Sequence, residues 1–271
     1  MREAVIVAGA RTPIGKAKRG SLATVRPDDF GALVVKETLK RANYTGQIED
    51  IIMGCAMPEA EQGMNVARNI GALAGLPDTV PGLTVNRFCS SGLQTIAYAA
   101  ERIMVGHAKA IIAGGVESMS MIPMTGNTVR LNPKLVEEAP EYYMSMGHTA
   151  EQVAVKYNVS REEQDAFAVR SHELAEKAIK EGKFKDEIVP VEVTQHYVDA
   201  TNKQQTRTFT FDTDEGVRPG TSVEGLAKLR PAFNVKGSVT AGNASQTSDG
   251  AAAVLVMDRQ EAEKQGMTPM A

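Results

Sequence analysis

Short, uninterrupted apolar runs, separated by stretches with one apolar face, constrain this chain most. Residues 4–8 (AVIVA), 51–53 (IIM), 83–88 (LTVNRF) and 110–113 (AIIA) have the texture of strands, and the all-apolar runs that of strands covered on both faces. Between them lie helical patterns. After Asp28 and Asp29, the residues Phe30, Leu33, Val34 and Leu39 fall near helical spacing. Val66, Ala67, Ile70, Leu73 and Ala74 make one face of a second helix, stopped by Gly75 and Pro77. Leu93, Ile96, Ala97, Ala100, Ile103 and Met104 make that of a third. Strand alternating with helix predicts an α/β fold. The buried-strand texture returns at residues 251–256 (AAAVLV), so the chain is expected to rejoin its first sheet near the end.

The middle of the chain reads differently. Residues 118–143 are rich in Met, Pro, Asn and Gly and have weak periodicity, as expected of an irregular excursion. A short helix is expected over 149–157. Ser160 and Glu163 form a capping box that opens a helix running to Gly182. Residues 188–193 resemble a strand that Pro190 confines to an edge. Residues 194–210 are polar and expected to be exposed. The expected organisation is a core domain from residues 1–117 and 250–271, interrupted by an inserted loop domain over 118–249.

Composition excludes several functions. The 271 residues carry 30 Lys plus Arg against 33 Asp plus Glu, a net charge of -3. That lacks the basic surplus of a nucleic-acid binder. No stretch reaches the ~20 apolar residues of a membrane helix. The run over 4–10 ends at Arg11, too short for a signal peptide. Two cysteines make neither a disulfide framework nor a zinc cluster, so no metal is expected and a reducing, cytoplasmic setting is.

Cys89 is the first candidate for chemistry. It falls where a strand meets a helix N-terminus, where free amide protons and the helix dipole favour a thiolate. Ser90, Ser91 and Gly92 leave room for a substrate. The competing reading is a buried structural cysteine. Cys55, which precedes Ala56-Met57-Pro58 and lacks a comparable setting, fits that structural role. None of His107, His148, His172 and His196 sits in a motif that pairs it with Cys89. Gly114-Gly115 fits a tight turn or a phosphate cradle. Residues 240–245 (TAGNAS) are small enough to let a thin ligand lie against the backbone. Arg218, between Gly216 and Gly220, is a candidate anion binder.

Taken together, these segments resemble the thiolase family. The resemblance rests on VIVAGARTPIGK (5–16), NRFCSSGLQ (86–94), GGVESMS (114–120), SREEQDAFAVRS (160–171), KDEIVPVEV (185–193), KLRPAF (228–233) and TAGNASQTSDGAAAVLVM (240–257). It implies a mixed five-stranded sheet with helices on both faces, plus an inserted loop domain. It implies that Cys89 is the nucleophile, attacking the 3-keto carbon of a 3-ketoacyl-CoA and giving acetyl-CoA and a shortened acyl-CoA, as in fatty-acid β-oxidation. The Cys89 amide would help bind the oxyanion. Coenzyme A and acyl-CoA thioesters would be substrates, with no metal or redox cofactor.

By the same resemblance, Met146, Gly147, Phe233, Ala241 and Ser245 would line the pantetheine slot, and Arg218 would lie near the adenine. Ser145 stands where the short-chain biosynthetic branch has a histidine, and Gly225 where it has a serine. The segments around Cys89 and Ser245 look more like the degradative branch. Three alternatives stay open: a short-chain acetyl-CoA acetyltransferase, a non-catalytic fragment that binds CoA and dimerises, and a sister condensing enzyme that extends acyl chains with the same cysteine position. The family's second half, with an NEAF segment, a GGHP-type histidine and a CxGGG cysteine, has no counterpart in this sequence. The expectation is an N-terminal portion, inactive unaided, with an apolar face that favours a dimer or tetramer.

Overall fold

The first strand, β1 (Ala4–Arg11), leads through the two-residue β2 (Gly15–Lys16) into α1 (Pro27–Ala42) in this computed structural model, which describes residues 2–271. Pro27 presets the first turn of α1. Asp28 and Asp29 sit at the positive end of its dipole, Lys40 and Arg41 at the negative end. Asn43 ends it in the left-handed conformation, φ 49°. Then come β3 (Asp50–Gly54), α2 (Val66–Ala74), β4 (Gly82–Val85), α3 (Ser91–Met104) and β5 (Ala110–Ser118). The irregular excursion contains the short α4 (Pro133–Glu138). It is followed by α5 (Met146–Tyr157) and α6 (Arg161–Lys180). The hairpin β6 (Val191–Val198) and β7 (Gln204–Phe211), α7 (Val223–Ala227), β8 (Ser248–Asp258) and α8 (Arg259–Lys264) complete the chain.

The main sheet has the order β1-β8-β5-β3-β4, with β2 attached to β8. β3 is parallel to β4 and β5, whereas β8 runs antiparallel to β1 and β5. This is the mixed five-stranded sheet the resemblance implies. Period-two alternation divides its side chains between two cores. Ile51, Met53, Ile112, Leu255 and Met257 pack with Phe30, Val34 and Val35 of α1 and Val66 and Ile70 of α2. Ile52, Ile111, Ala113 and Val256 face the other way, toward Ala99 and Ile103 of α3. Each large side chain buried this way contributes roughly 1.5–3 kcal/mol relative to exposure. The β1 edge is covered, because Ile6 exchanges backbone hydrogen bonds with Ala271 and Met270. β4 is the opposite edge.

The chain forms two compact units. One comprises the residues up to Asn127, Lys185–Glu215 and Thr247–Ala271; the other comprises Thr128–Phe184 and Gly216–Gln246. The expected single insertion over 118–249 is therefore divided. Residues 185–215 stay with the sheet for identifiable reasons. Arg41 donates to the carbonyls of Gly9, Asp186, Glu187 and Ile188. Arg11 pairs with Asp214 at 2.8 Å. Glu215 accepts from the amides of Lys16 and Ser21. Val191, Val193 and Phe211 pack with Leu22. The polar stretch 194–210 is mostly exposed, as expected, and forms the outer half of the β6–β7 hairpin.

In the second unit, the expected capping box of Ser160 and Glu163 opens α6. Two buried carboxylates hold its long loop. Glu151 accepts from the amides of Ser238 and Val239 at 2.9 and 3.0 Å, and Asp165 accepts from Asn243 Nδ2 at 2.9 Å. Among the described residues, no helix is long and apolar enough to cross a membrane.

Candidate active site

The parallel strands β3 and β4 end side by side, and each is followed by a cysteine within a few residues. Cys89 follows β4, in a single 3-10 turn (Phe88–Ser90) that runs directly into α3. Its thiol is exposed. The first turn of α3 contains no acidic side chain, so its partial positive charge stays uncompensated by the helix itself. That is a setting for an anion, whether thiolate or oxyanion.

Two glycines shape the surroundings. A Cβ on Gly54 would lie 2.6 Å from the Ser91 carbonyl carbon and 2.7 Å from the Gly92 nitrogen. Only a bare Cα at the end of β3 lets α3 begin so close to the sheet. A Cβ on Gly92 would meet nothing within 4 Å. Packing does not require that glycine, and its bareness leaves open space one turn from the thiol.

The turn itself is held by polar contacts. Phe88 is in the left-handed region, φ 47°, which a bulky residue rarely adopts. The residue is 65% exposed, so packing does little to hold it there. Its amide donates to Asn86 Oδ1 at 3.0 Å, and its carbonyl accepts from Ser91 Oγ at 2.6 Å. Ser91 Oγ in turn accepts from the Arg87 amide at 2.9 Å.

Cys55, one residue past β3, is buried. Gln62 Nε2 donates to its sulfur at 3.2 Å and to Glu117 Oε1 at 2.6 Å. Burial first, and the nearby Glu117 carboxylate second, push this thiol up to about 12. Cys55 is thus structural, as its sequence setting implies.

The other six expected site residues all belong to the second unit. Met146 is the first residue of α5 and is exposed. Gly147 follows, and a Cβ there would overlap the Phe233 ring. Phe233 also meets His148 edge to face, with centroids 6.3 Å apart. The structure therefore brings Met146, Gly147, His148 and Phe233 to one place. Sequence reasoning does not single out His148; the available signal is its position two residues into a capped helix. Ser145, which stands where the biosynthetic branch has histidine, caps α5, and its hydroxyl lies 2.8 Å from His148 Nδ1.

Ala241 and Ser245 are exposed on the loop that Glu151 and Asp165 anchor. Gly225 donates its amide to Ser222 Oγ, the cap of α7. Arg218 lines a shallow cleft with His172, Glu173, Glu176, Gly220 and Thr221. Its amide donates to His172 Nδ1 at 3.2 Å. No motif in the sequence sets His172 apart from the other three histidines.

A strand–turn–helix cysteine on a mixed sheet of this order agrees with what the thiolase resemblance implies, and the chain belongs to the thiolase family. The family model described as thiolase, N-terminal domain, matches residues 4–260. A 3-ketoacyl-CoA thiolase of Bacillus subtilis (strain 168) is 68% identical over 271 residues, covering 100% of this chain and 69% of that protein. One from Escherichia coli O1:K1 / APEC is 44% identical, covering 100% and 68%. The crystal structure of the Bacillus anthracis acetyl-CoA acetyltransferase superposes with a TM-score of 0.84 at 37% identity, over 99% of this chain and 68% of that one. By class the protein is an acyltransferase.

Proposed function

We propose that Cys89 is the acyl-accepting nucleophile in the thiolytic cleavage of 3-ketoacyl-CoA, a step of fatty-acid β-oxidation. The observation that carries this reading is the exposed Cys89 thiol at the uncompensated N-terminus of α3, beside the open space at Gly92. The names of the relatives at 68% and 44% identity support the degradative substrate.

The Cys89 thiolate attacks the C3 carbonyl carbon, and the α3 N-terminus with neighbouring amides stabilises the oxyanion. The C2–C3 bond then breaks. Its electron pair stays on C2, which takes a proton from water and leaves as acetyl-CoA. The acyl group remains on Cys89 as a thioester. A CoA thiolate attacks that carbonyl, the Cys89 thiolate leaves, and the product is shorter by two carbons. One hard cleavage becomes two easier steps. Neither step needs a change of oxidation state, so coenzyme A enters as a substrate and no metal or redox group is assigned.

In this reading Met146, Gly147, Phe233, Ala241 and Ser245 line the pantetheine, and Arg218 meets the adenine end. Two exposed small residues, an aromatic wall and a cation suit those parts of CoA. Self-association is assigned to the β4 edge, where Leu83 is exposed.

A second reading, acetyl-CoA acetyltransferase, is favoured by the name of the Bacillus anthracis structure. Incubation with acetyl-CoA or with a longer 3-ketoacyl-CoA, followed by peptide mass spectrometry, tests both. An acyl group on Cys89, abolished in Cys89→Ser, is expected. Labelling by the long substrate favours cleavage, and labelling by acetyl-CoA alone favours the acetyltransferase. No adduct from either sinks the nucleophile assignment.

A further inference from the structure

We infer that Asn86 and Glu117 are positioning residues for Cys89, linked by a hydrogen-bonded relay that fixes the turn presenting the thiol. The inference rests on Cys89 being the nucleophile.

The relay begins at the C-terminal end of β5. Glu117 Oε2 accepts from the Ala56 amide at 2.7 Å, while its Oε1 accepts from Gln62 Nε2 at 2.6 Å. Gln62 is wholly buried, and its Oε1 accepts from the Ser118 amide at 2.5 Å. Both ends of the Glu117 carboxylate are thus fixed, and through it the backbone at Ala56. The Ala56 carbonyl then accepts from Asn86 Nδ2 at 3.0 Å. The other end of the same amide group, Asn86 Oδ1, accepts from the Phe88 amide.

Asn86 therefore grips the loop after β3 with one hand and the turn before Cys89 with the other. The need for such a grip is visible in Phe88. A non-glycine residue at positive φ costs of order 1 kcal/mol or more, and the exposed Phe88 recovers little of it by packing. Released from Asn86, Phe88 has every reason to relax to negative φ. That relaxation would swing Cys89 away from the α3 N-terminus. Ser91 alone would still hold the Phe88 carbonyl, but nothing would fix its amide. An asparagine fits this place because it offers a donor and an acceptor on one short, rigid amide.

The test is alkylation of the full chain by iodoacetamide, read separately at Cys89 and Cys55 over a pH series, with the melting temperature measured alongside. Alkylation reads the thiol and not turnover. A chain that never forms an acyl-enzyme therefore fails the proposed function without touching this result. Asn86→Ala and Glu117→Ala are expected to slow Cys89 by about threefold or more, the scale of losing a helix-terminus interaction, and to change the shape of its pH profile. Cys55 should stay unreactive in both. Glu117→Gln keeps an acceptor for the Ala56 amide and is expected to restore most of the rate. Asn86→Asp keeps the acceptor for Phe88 but loses the donor to Ala56, and is expected to fall between. Cys89 reacting at the unchanged rate and profile in both alanine variants would overturn the inference. So would Cys55 becoming reactive in step with Cys89, which marks general loosening, or Glu117→Gln behaving like Glu117→Ala.

Discussion

Two neighbouring parallel strands each deliver a cysteine just past their ends, and the two thiols have opposite surroundings. After β3 the chain turns inward. Cys55 is buried, receives a hydrogen bond from Gln62 and lies near the Glu117 carboxylate, which disfavours its thiolate. After β4 the chain turns into a helix. Cys89 is exposed at a positive helix end with no acid in the first turn. Same element type, same end of the same sheet, same residue: what differs is whether the backbone leads under the loop or onto an N-terminus. The difference in setting belongs to that geometry, and Glu117 serves both sides of it. It adds a smaller push to the burial that already keeps Cys55 protonated, while anchoring the loop on which Asn86 leans.

The comparison is most easily broken by direct competition. A thiol at about 12 is almost wholly protonated at pH 8, whereas an ordinary free thiol near ~8.5 is ionised to roughly a quarter. Cys55 should therefore react with iodoacetamide at least about a thousandfold more slowly than an ordinary free thiol in the native chain, and far behind Cys89. Both should react alike in strong denaturant. Mass spectrometry of the two peptides gives the ratio. Comparable native rates would remove the contrast.

A second variant strikes the point where the two strand ends meet. Gly54→Ala puts a methyl group against the backbone of Ser91 and Gly92, with no flexible side chain to move aside. Overpacking of this kind costs about 1–3 kcal/mol, and the start of α3 must shift to relieve it. Denaturant unfolding should show the loss, and Cys89 alkylation should change along with it. A variant of unchanged stability would mean that α3 does not depend on close approach at Gly54.

Much of this contrast is legible in the sequence. The all-apolar runs identify the central strands because the sheet is covered on both sides, so alternation vanishes where both faces are buried. The stop at Cys89-Ser90-Ser91-Gly92 identifies a strand-to-helix junction. Ser160 and Glu163 fix the start of α6, since a capping box is a purely local device. Long-range polar contacts are not legible. Nothing near Arg41 predicts that it binds carbonyls some 145 residues away and holds 185–215 to the sheet. The 194–210 stretch reads only as polar and exposed because both faces of an outer hairpin are solvated, so its threonines and glutamines carry no apolar signal. Phe88 in the left-handed region is invisible too. The preference that allows it comes from an asparagine two residues earlier, not from Phe88.

The alkaline limb gives a smaller effect with a defined sign. Cys55 stays protonated in the folded chain up to about 12, whereas the unfolded chain releases that proton near the ordinary value of 9.0. Between these values the folded state binds more protons, so folding stability falls as pH rises. The expected slope is up to about 1.4 kcal/mol per pH unit above pH 9. Tyrosines and lysines titrate in the same range, so the useful quantity is the difference from Cys55→Ala, which lacks this contribution. Urea titrations of both chains at matched pH should diverge as the pH is raised. Parallel curves would mean that Cys55 ionises as freely in the fold as outside it, and the contrast with Cys89 would then reduce to exposure alone.

The smallest change in stability is expected where the functional contrast is sharpest. Gly92→Ala adds a methyl group to the first turn of α3, in open space and on helical backbone. Alanine is the better helix former, so the variant should be as stable as the parent or more so by up to about 0.5–1 kcal/mol. If the bareness of Gly92 exists for packing, nothing else should change. If it keeps the approach to Cys89 open, acyl transfer from acyl-CoA should fall while small iodoacetamide still reaches the sulfur. Thermal unfolding, alkylation and acyl-adduct formation on the same sample separate these cases. Gly54→Ala loses stability and reactivity together, because it moves the helix. Gly92→Ala should dissociate them, because it leaves the helix in place and fills only the space a substrate would use. A stable variant that still accepts acyl groups at the parent rate would place the substrate's approach on the other side of the thiol.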